Sequence, residues 1–392
     1  MRCFHRLQKR TPGGVPSYRE TAAPSPEIPL CRGSNPTTWR SLFRCRETLV
    51  TTTTPTTGTS HLLQKTWFRI VAVLAALVLV AVLVFLAGPR NAFGPNTPSA
   101  RAQAPQEIAQ LDDWVRKTEA AFPDIKPNNE KHIVWAGAAG QRTPWAVVYI
   151  HGFSASRLET APMTDLVAKA LGANTFYTRL TGHGRPGPAM GEATVQDWLA
   201  DAQEALRIGQ TLGDKVLVIS CSTGATLATW LGANGQNAQV AGHVFVSPNF
   251  GPKDKRAEII NGPWGQQIAF ALQGDNRGSP AESPAEDGAW TNAYPTRALF
   301  PMMALVKGVR ESELSAFRTP LLVLYSEKDQ TVEPEQTKAA FARIGSATKQ
   351  MQAVDYSESK GQHVLVGDIK APKATTPMAE TIIRWAQALP AP

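Results

Sequence analysis

The sequence predicts an α/β domain: a mostly parallel central sheet with helices on both faces and a cap insertion, preceded by one transmembrane helix. Three observations predict it. From residue 107 onward, short apolar runs rich in β-branched residues alternate with helical runs, the pattern of a parallel sheet covered on both faces. Residues 252–319 break that alternation with a connection far longer than usual. Ile70–Ala87 (IVAVLAALVLVAVLVFLA) is eighteen apolar residues without a polar break.

Residues 1–66 are dominated by Pro, Thr, Ser and Arg, and Thr51–Ser60 (TTTTPTTGTS) is of low complexity. Such a tail cannot bury enough apolar surface to offset its ordering entropy, so disorder is expected. It is also a candidate over-extended start: Val50, just before the threonine run, marks the true start if its codon is a non-standard initiator. An amino-terminal sequence of the native protein beginning at Met1 would exclude this.

Residues 67–88 are predicted to form a signal anchor. At 1.5 Å per residue the apolar run spans about 27 Å, close to the hydrocarbon thickness of a bilayer. Trp67 and Phe68 stand at its entry, and Lys65 and Arg69 on its N-terminal side. The positive-inside rule then places the N-terminus in the cytoplasm and the rest of the chain across the membrane. The alternative is a secreted protein after signal-peptide cleavage. Against it, the apolar core exceeds the usual length of roughly 7–15 residues, and the nearest A-x-A matches, around Ala100–Ala104, lie far downstream. The lack of any polar face argues against a buried soluble helix. Residues 89–106, rich in Pro, Ala, Gly and Asn, read as a linker, and residues 107–392 suffice for one large domain.

The net charge of +8 lies entirely before Ile70: eleven Lys and Arg against three Asp and Glu, followed by twenty-nine of each. The globular part therefore lacks the basic patch that nucleic-acid binding requires. Of four cysteines only Cys221 falls within it, which excludes a disulfide framework there.

Within the domain, helices are expected over Ile108–Phe122, Pro162–Leu171, Thr194–Leu212, Ala225–Leu231, Pro334–Ile344 and Pro377–Leu389. Strands are expected over Ile133–Ala136, Trp145–Ile150, Thr175–Leu180, Val216–Cys221, Val244–Val246, Leu321–Tyr325 and Met351–Asp355. In such sheets functional sites form at the carboxyl ends of strands. The insertion holds two apolar pieces, Ile259–Leu272 and Ala298–Val309, around the polar stretch Gly274–Asp287, and reads as a cap over the site.

The chemistry centres on Lys215–Gly224 (KVLVISCSTG). An apolar strand runs into a tight turn of small residues and then a helix, the layout of a nucleophile elbow with Ser222 at its tip. The usual pattern is G-x-S-x-G; here Ser220 replaces the first glycine. Cys221 is an alternative nucleophile, but elbow geometry favours the central residue. A serine hydroxyl needs a base and a group that orients the base. With the chain order Ser, acid, His, only His243 and His363 follow the serine. His243 opens an apolar strand, whereas His363 lies in a polar loop after one, and is the expected base. Asp329, just past the strand Leu321–Tyr325, is the expected acid; Glu327 and Asp355 are the alternatives. The oxyanion donors are expected to be the backbone N–H groups of Thr223, after the nucleophile, and Phe153, in the His151-Gly152-Phe153 turn.

On these residues the chain resembles the lysophospholipase and monoacylglycerol lipase-like serine esterases of the α/β-hydrolase superfamily. The matching pieces are Val147–Phe153 (VVYIHGF), Arg179–Gly187 (RLTGHGRPG), Val216–Gly224 (VLVISCSTG), Leu324–Val332 (LYSEKDQTV) and Gly361–Leu365 (GQHVL), in the order of that group. The resemblance implies an α/β-hydrolase fold with Ser222 as nucleophile, Asp329 as orienting acid and His363 as base, His183 being structural. It implies acyl transfer from a small-molecule or lipid ester to water through an acyl-enzyme, with Phe300, Met302, Met303 and Leu305 of the cap available to an acyl chain. Neither a metal constellation nor a phosphate-binding glycine loop is present in the sequence, so no cofactor is expected. The alternatives are a serine peptidase or thioesterase on the same fold, or a catalytically silent binding module.

Overall fold

The computed structural model describes residues 58–389. The earlier tail, with Val50 and Cys3, Cys31 and Cys45, lies outside the described residues. The chain divides into two units, residues 1–67 and 68–392. Helix α1 (Gly58–Leu86) contains one stretch, Leu63–Leu86, long and apolar enough to cross a membrane, none of it buried by protein.

The second unit continues with α2 (Leu111–Glu119), β1 (His132–Val134), β2 (Thr143–Ile150), α3 (Met163–Leu171), β3 (Asn174–Tyr177), α4 (Val195–Leu212), β4 (Gly213–Cys221), α5 (Thr223–Ala233) and β5 (Val240–Val246). The cap follows as α6 (Gly265–Gln273), β6 (Asn276–Gly278), α7 (Pro284–Ala289), β7 (Ala293–Pro295) and α8 (Leu299–Glu311). The chain then closes with β8 (Leu321–Tyr325), α9 (Pro334–Arg343), β9 (Lys349–Ala353) and α10 (Pro372–Gln387). The seven-stranded sheet runs β1-β3-β2-β4-β5-β8-β9, parallel throughout except for the antiparallel edge strand β1.

Strand β4 shows why the sheet is covered twice. Val216 and Val218 pack into one core with Trp198, Leu206, Leu227 and Phe245. Leu217, Ile219 and Cys221 pack into the other with Met163, Val167, Met378 and Ile382. Successive side chains point to opposite faces, so an unbroken apolar run serves both layers. Helix α4 begins at a reciprocal capping box: Asp197 N–H donates to Thr194 Oγ1 (3.2 Å) and Thr194 N–H donates to Asp197 Oδ2 (2.9 Å).

Three local features differ from the sequence expectation. The helix expected from Ile108 opens as a single 3₁₀ turn and ends at Glu119, and Phe122 lies beyond it. Helix α10 starts at Pro372, not Pro377: Pro372 takes the N-terminal position that suits proline, and Pro377 is carried inside the helix. The polar stretch of the cap contains α7, and its flanks β6 and β7 pair as a small antiparallel ribbon.

Residues 94–104 run along the domain surface. The Trp230 indole donates to Asn96 Oδ1 (2.5 Å), Gln196 Nε2 donates to Pro95 O (2.9 Å), and Arg101 pairs with Asp201 (2.6 Å).

Candidate active site

Ser222 joins β4 to α5 with φ +50° and ψ −117°, a conformation costly for a residue with a Cβ. The surroundings hold it there. Ser222 N–H donates to Val246 O (3.0 Å), and Ser222 O accepts from Ala225 N (3.0 Å) and Asn249 N (3.1 Å). Two residues on, Gly224 passes so close to β2 that a Cβ would lie 2.2 Å from Ile150 O and 2.6 Å from His151 O. Both contacts are to backbone, which cannot yield cheaply. Gly224→Ala is therefore expected to lower stability by about 2–3 kcal/mol, measured by denaturant unfolding.

The absent first glycine is accommodated. Ser220 is fully buried opposite Ile150 and Phe245, and its hydroxyl points to Val244 O (3.4 Å). A small side chain that donates to the neighbouring strand fits where a larger one would not.

His363 Nε2 stands 3.0 Å from Ser222 Oγ, and His363 Nδ1 stands 2.8 Å from Asp329 Oδ2. The three residues lie after β4, β8 and β9, at the carboxyl ends of the strands. Asp329 is buried, and its Oδ1 accepts from Thr331 N (2.8 Å) and Val332 N (3.0 Å). The histidine loop is tied to the aspartate loop by Gln362. Its amide donates to Ser357 O and Ser359 O (2.8 Å each), its Oε1 accepts from Ser326 Oγ (3.0 Å), and Gln330 N donates to Gly361 O (3.0 Å).

Thr223 opens α5, where the first N–H groups have no intrahelical acceptor. The Gly152 turn lies against the elbow: a Cβ on Gly152 would sit 3.2 Å from Ser222 Cβ and 3.1 Å from Glu159 Oε2. The Phe153 ring packs edge-on to His183, Trp198 and Tyr294.

The other candidates fall elsewhere. His151 is buried, accepts from Leu180 N at Nε2 (3.0 Å), and is held by burial at a pKa of about 4. His183 lies 3.2 Å from Thr181 O through Nδ1, and burial depresses it well below the usual histidine range. His243 is buried against Phe245 and Phe317, with its pKa pushed down to about 3. The Cys221 side chain faces the opposite core, and burial raises its thiol well above the usual range. Glu327 is an exposed partner of Lys338 and Tyr325. Of the cap residues, Phe300 and Met303 form the cap core and Leu305 joins the main core. Met302 Sδ lies 3.7 Å from Asn249 Nδ2, and Met302, like Phe153, packs against the cap core. Among the described residues no group of three or more His, Cys, Asp or Glu is placed to hold a metal ion.

One residue escaped the sequence reading. Glu159, in the short 3₁₀ turn Arg157–Thr160 after the His151-Gly152-Phe153 turn, is fully buried. Its Oε1 accepts from Gly152 N (2.6 Å) and from the Tyr149 hydroxyl (2.9 Å). Nothing in Arg157-Leu158-Glu159-Thr160 marks it, because its role depends on partners supplied by β2. Burial raises its pKa from near 4.5 to about 7. A raised acid binds its proton more tightly in the fold than in the unfolded chain. Its contribution is complete below pH 4.5 and is lost as pH rises to 7, by about 3 kcal/mol at most. The depressed His151 and His243 have the opposite sign, losing stability as pH falls below about 6.5. Comparison with Glu159→Gln isolates the acid: the difference in unfolding free energy between wild type and variant should shrink from pH 5 to pH 7.5 in parallel denaturant titrations.

The profile of the Hydrolase_4 family (Serine aminopeptidase, S33) matches residues 141–358, which include Ser222 and Asp329 and end just before His363. A thermostable monoacylglycerol lipase of Bacillus sp. (strain H-257) is 25% identical over 226 residues, 57% of this chain and 87% of that one. Among solved structures, one from a study of the metagenome-derived lipolytic enzymes LipS and LipT superposes with a TM-score of 0.53 at 19% identity, covering 67% of this chain and 99% of that chain. A soluble variant of the Saccharomyces cerevisiae monoglyceride lipase in complex with a substrate analogue gives 0.51 at 14% identity, covering 67% and 92%. At these identities the two structures speak for the fold.

Proposed function

Since the chain belongs to the Hydrolase_4 family (Serine aminopeptidase, S33) of α/β-hydrolases, we propose that it cleaves carboxylic esters of acylglycerol or lysophospholipid type through an acyl-enzyme on Ser222. The relatives support a hydrolase of lipase or esterase type. The observation that carries the rest is the continuous line Ser222 Oγ–His363 Nε2–Asp329 Oδ2, with separations of 3.0 and 2.8 Å.

In this reading His363 takes the hydroxyl proton as Ser222 Oγ attacks the ester carbonyl, while Asp329 fixes the imidazole through Nδ1–H. The tetrahedral oxygen receives hydrogen bonds from the N–H groups of Thr223 and Phe153. Collapse breaks the bond to the alcohol, which leaves with the proton from His363. Water, deprotonated by the same imidazole, then attacks the acyl-serine, and the acid departs as Ser222 recovers its proton.

Two observations favour esters over the aminopeptidase chemistry in the family's description. Asp329 and Glu159 are bonded within the protein, so neither is free to receive a substrate α-ammonium group. The Bacillus relative is a monoacylglycerol lipase. Turnover of p-nitrophenyl esters and of a monoacylglycerol, with none of peptide amides, is the expected result. Cleavage of amides alone would favour the peptidase. A well-folded protein that turns over neither and resists a fluorophosphonate probe would be a binding module.

A further inference from the structure

The turn that carries the proposed oxyanion donor Phe153 is fixed by hydrogen bonds to both ends of Gly152. Gly152 N–H donates to Glu159 Oε1 (2.6 Å), and Gly152 O accepts from His151 Nδ1 (2.8 Å) and Ala155 N (3.3 Å). Leu180 N–H donates to the other imidazole nitrogen, Nε2 (3.0 Å), so the ring proton stands on Nδ1. From the cap, Thr291 N–H donates to Ser154 O (2.7 Å) and the Tyr294 ring meets Phe153 edge-on. Among the described residues nothing accepts from Phe153 N–H.

The Gly152 carbonyl and the Phe153 N–H belong to one planar trans peptide and point opposite ways. Fixing Gly152 therefore fixes the direction of Phe153 N–H. Gly152 has little room to shift: a Cβ on it would lie 3.1 Å from Glu159 Oε2 and 3.2 Å from Ser222 Cβ. Glu159 and the nucleophile thus stand against the same glycine. Of the bonds to the turn, the one to Glu159 is the shortest. Glu159 is itself held in place, since its Oε1 also accepts from the Tyr149 hydroxyl (2.9 Å) and its N–H donates to Ser156 O (3.1 Å). Burying a carboxyl costs stability unless hydrogen bonds offset it, and the two this one receives come from β2 and the turn that follows β2.

We propose that Glu159 is a positioning residue for the oxyanion hole: by holding Gly152 N–H it sets the turn so that Phe153 N–H faces the oxygen on which charge develops when Ser222 attacks. Its bonds go to Gly152 and Tyr149 and not to the reacting atoms, so it acts on the transition state and leaves substrate binding alone. This role rests on the serine-ester mechanism and the oxyanion role of Phe153 proposed above.

Four variants of the full chain test it, each checked for folding by a thermal melt. Glu159→Met removes the acceptor and should lower kcat on p-nitrophenyl butyrate by about 10²-fold with KM nearly unchanged, the size of a lost oxyanion contact. Glu159→Asp keeps the carboxyl but withdraws it by one methylene, and should lose at least about tenfold in kcat through the displaced turn. Glu159→Gln keeps an oxygen acceptor at the same reach and should restore kcat to near the wild-type value. Tyr149→Phe removes the other bond to the same oxygen, leaves Gly152 held, and should also stay near wild type. A tetrahedral analogue separates positioning from a structural role. The inhibition constant of an alkyl boronic acid, whose boron takes the Ser222 oxygen and becomes tetrahedral, should rise in the Met and Asp variants by the factor that kcat/KM falls. A folded Glu159→Met with wild-type kcat, or a loss confined to KM, overturns the proposal. So does a Glu159→Gln or Tyr149→Phe that falls as far as Glu159→Met. If Glu159→Met does not fold, equal kcat in the Asp and Gln variants overturns it. A wild type that reacts with a fluorophosphonate but does not cleave the ester rejects the ester reading alone, and the labelling rates of the variants then test positioning in the same order. A wild type inert to both rejects the serine mechanism and this role with it.

Discussion

Ser222→Ala is expected to lower kcat by about 10⁶-fold on any ester the wild type cleaves. In the proposed mechanism the hydroxyl is the atom that attacks, and the described residues offer no substitute at the elbow. Cys221 points into the opposite core with a thiol held protonated by burial, and His363 reaches toward the position of Oγ itself. The fold should not register the change. The elbow is held by backbone bonds from Val246, Asn249 and Ala225 and by the close pass of Gly224, none of which uses the hydroxyl. Steady-state kinetics with p-nitrophenyl butyrate, beside a thermal melt, separates the two effects: activity lost, melting temperature unchanged within a degree or two.

Asp329→Asn is expected to cost about 10⁴-fold in kcat with little change in KM. Asp329 performs two tasks with its two oxygens. Oδ1 accepts from the backbone at Thr331 and Val332, while Oδ2 faces His363 Nδ1. An asparagine keeps the first by turning its single oxygen to the backbone, and so presents its NH₂ to the imidazole. Nδ1 must then accept, which places the ring proton on Nε2, the atom that should take the serine's proton. The loop stays in place and the base is switched off. A variant with wild-type KM and residual activity that rises steeply with pH fits this account. Wild-type kcat would remove Asp329 from the mechanism.

Much of this site was legible in the sequence because its parts are local. The elbow combines a β-branched run, a turn of small residues and the start of a helix in ten consecutive positions, and Asp329 and His363 each lie in a mostly polar loop after a strand. Strand-end placement then brings together three residues that are distant in sequence. What was not legible depends on tertiary partners. Glu159 sits in an ordinary-looking turn and acquires meaning only when β2 supplies Gly152 N–H and the Tyr149 hydroxyl. Gln362 differs from a solvated loop glutamine only because Ser326 and the carbonyls of Ser357 and Ser359 surround it. The cap residues Phe300, Met303 and Leu305 carry the same apolar character whether they line a site or fill a core, and composition alone cannot tell these apart. Residues 89–106 have the composition of a linker, yet Asn91, Asn96 and Arg101 use their polar groups to bind the cap and helices α4 and α5. Ser220 is the converse case: a departure from the usual elbow pattern that the neighbouring strand absorbs.

Covalent catalysis by Ser222 is the central claim, and trapping the acyl-enzyme tests it most directly. The protein is mixed with excess p-nitrophenyl butyrate, quenched in acid within the first turnovers and digested, and the peptide containing residues 216–230 is weighed and fragmented. The account predicts a butyryl group on Ser222, absent from Ser222→Ala. A butyryl group on Cys221, or steady turnover with no acyl peptide and undiminished activity in Ser222→Ala, would contradict it.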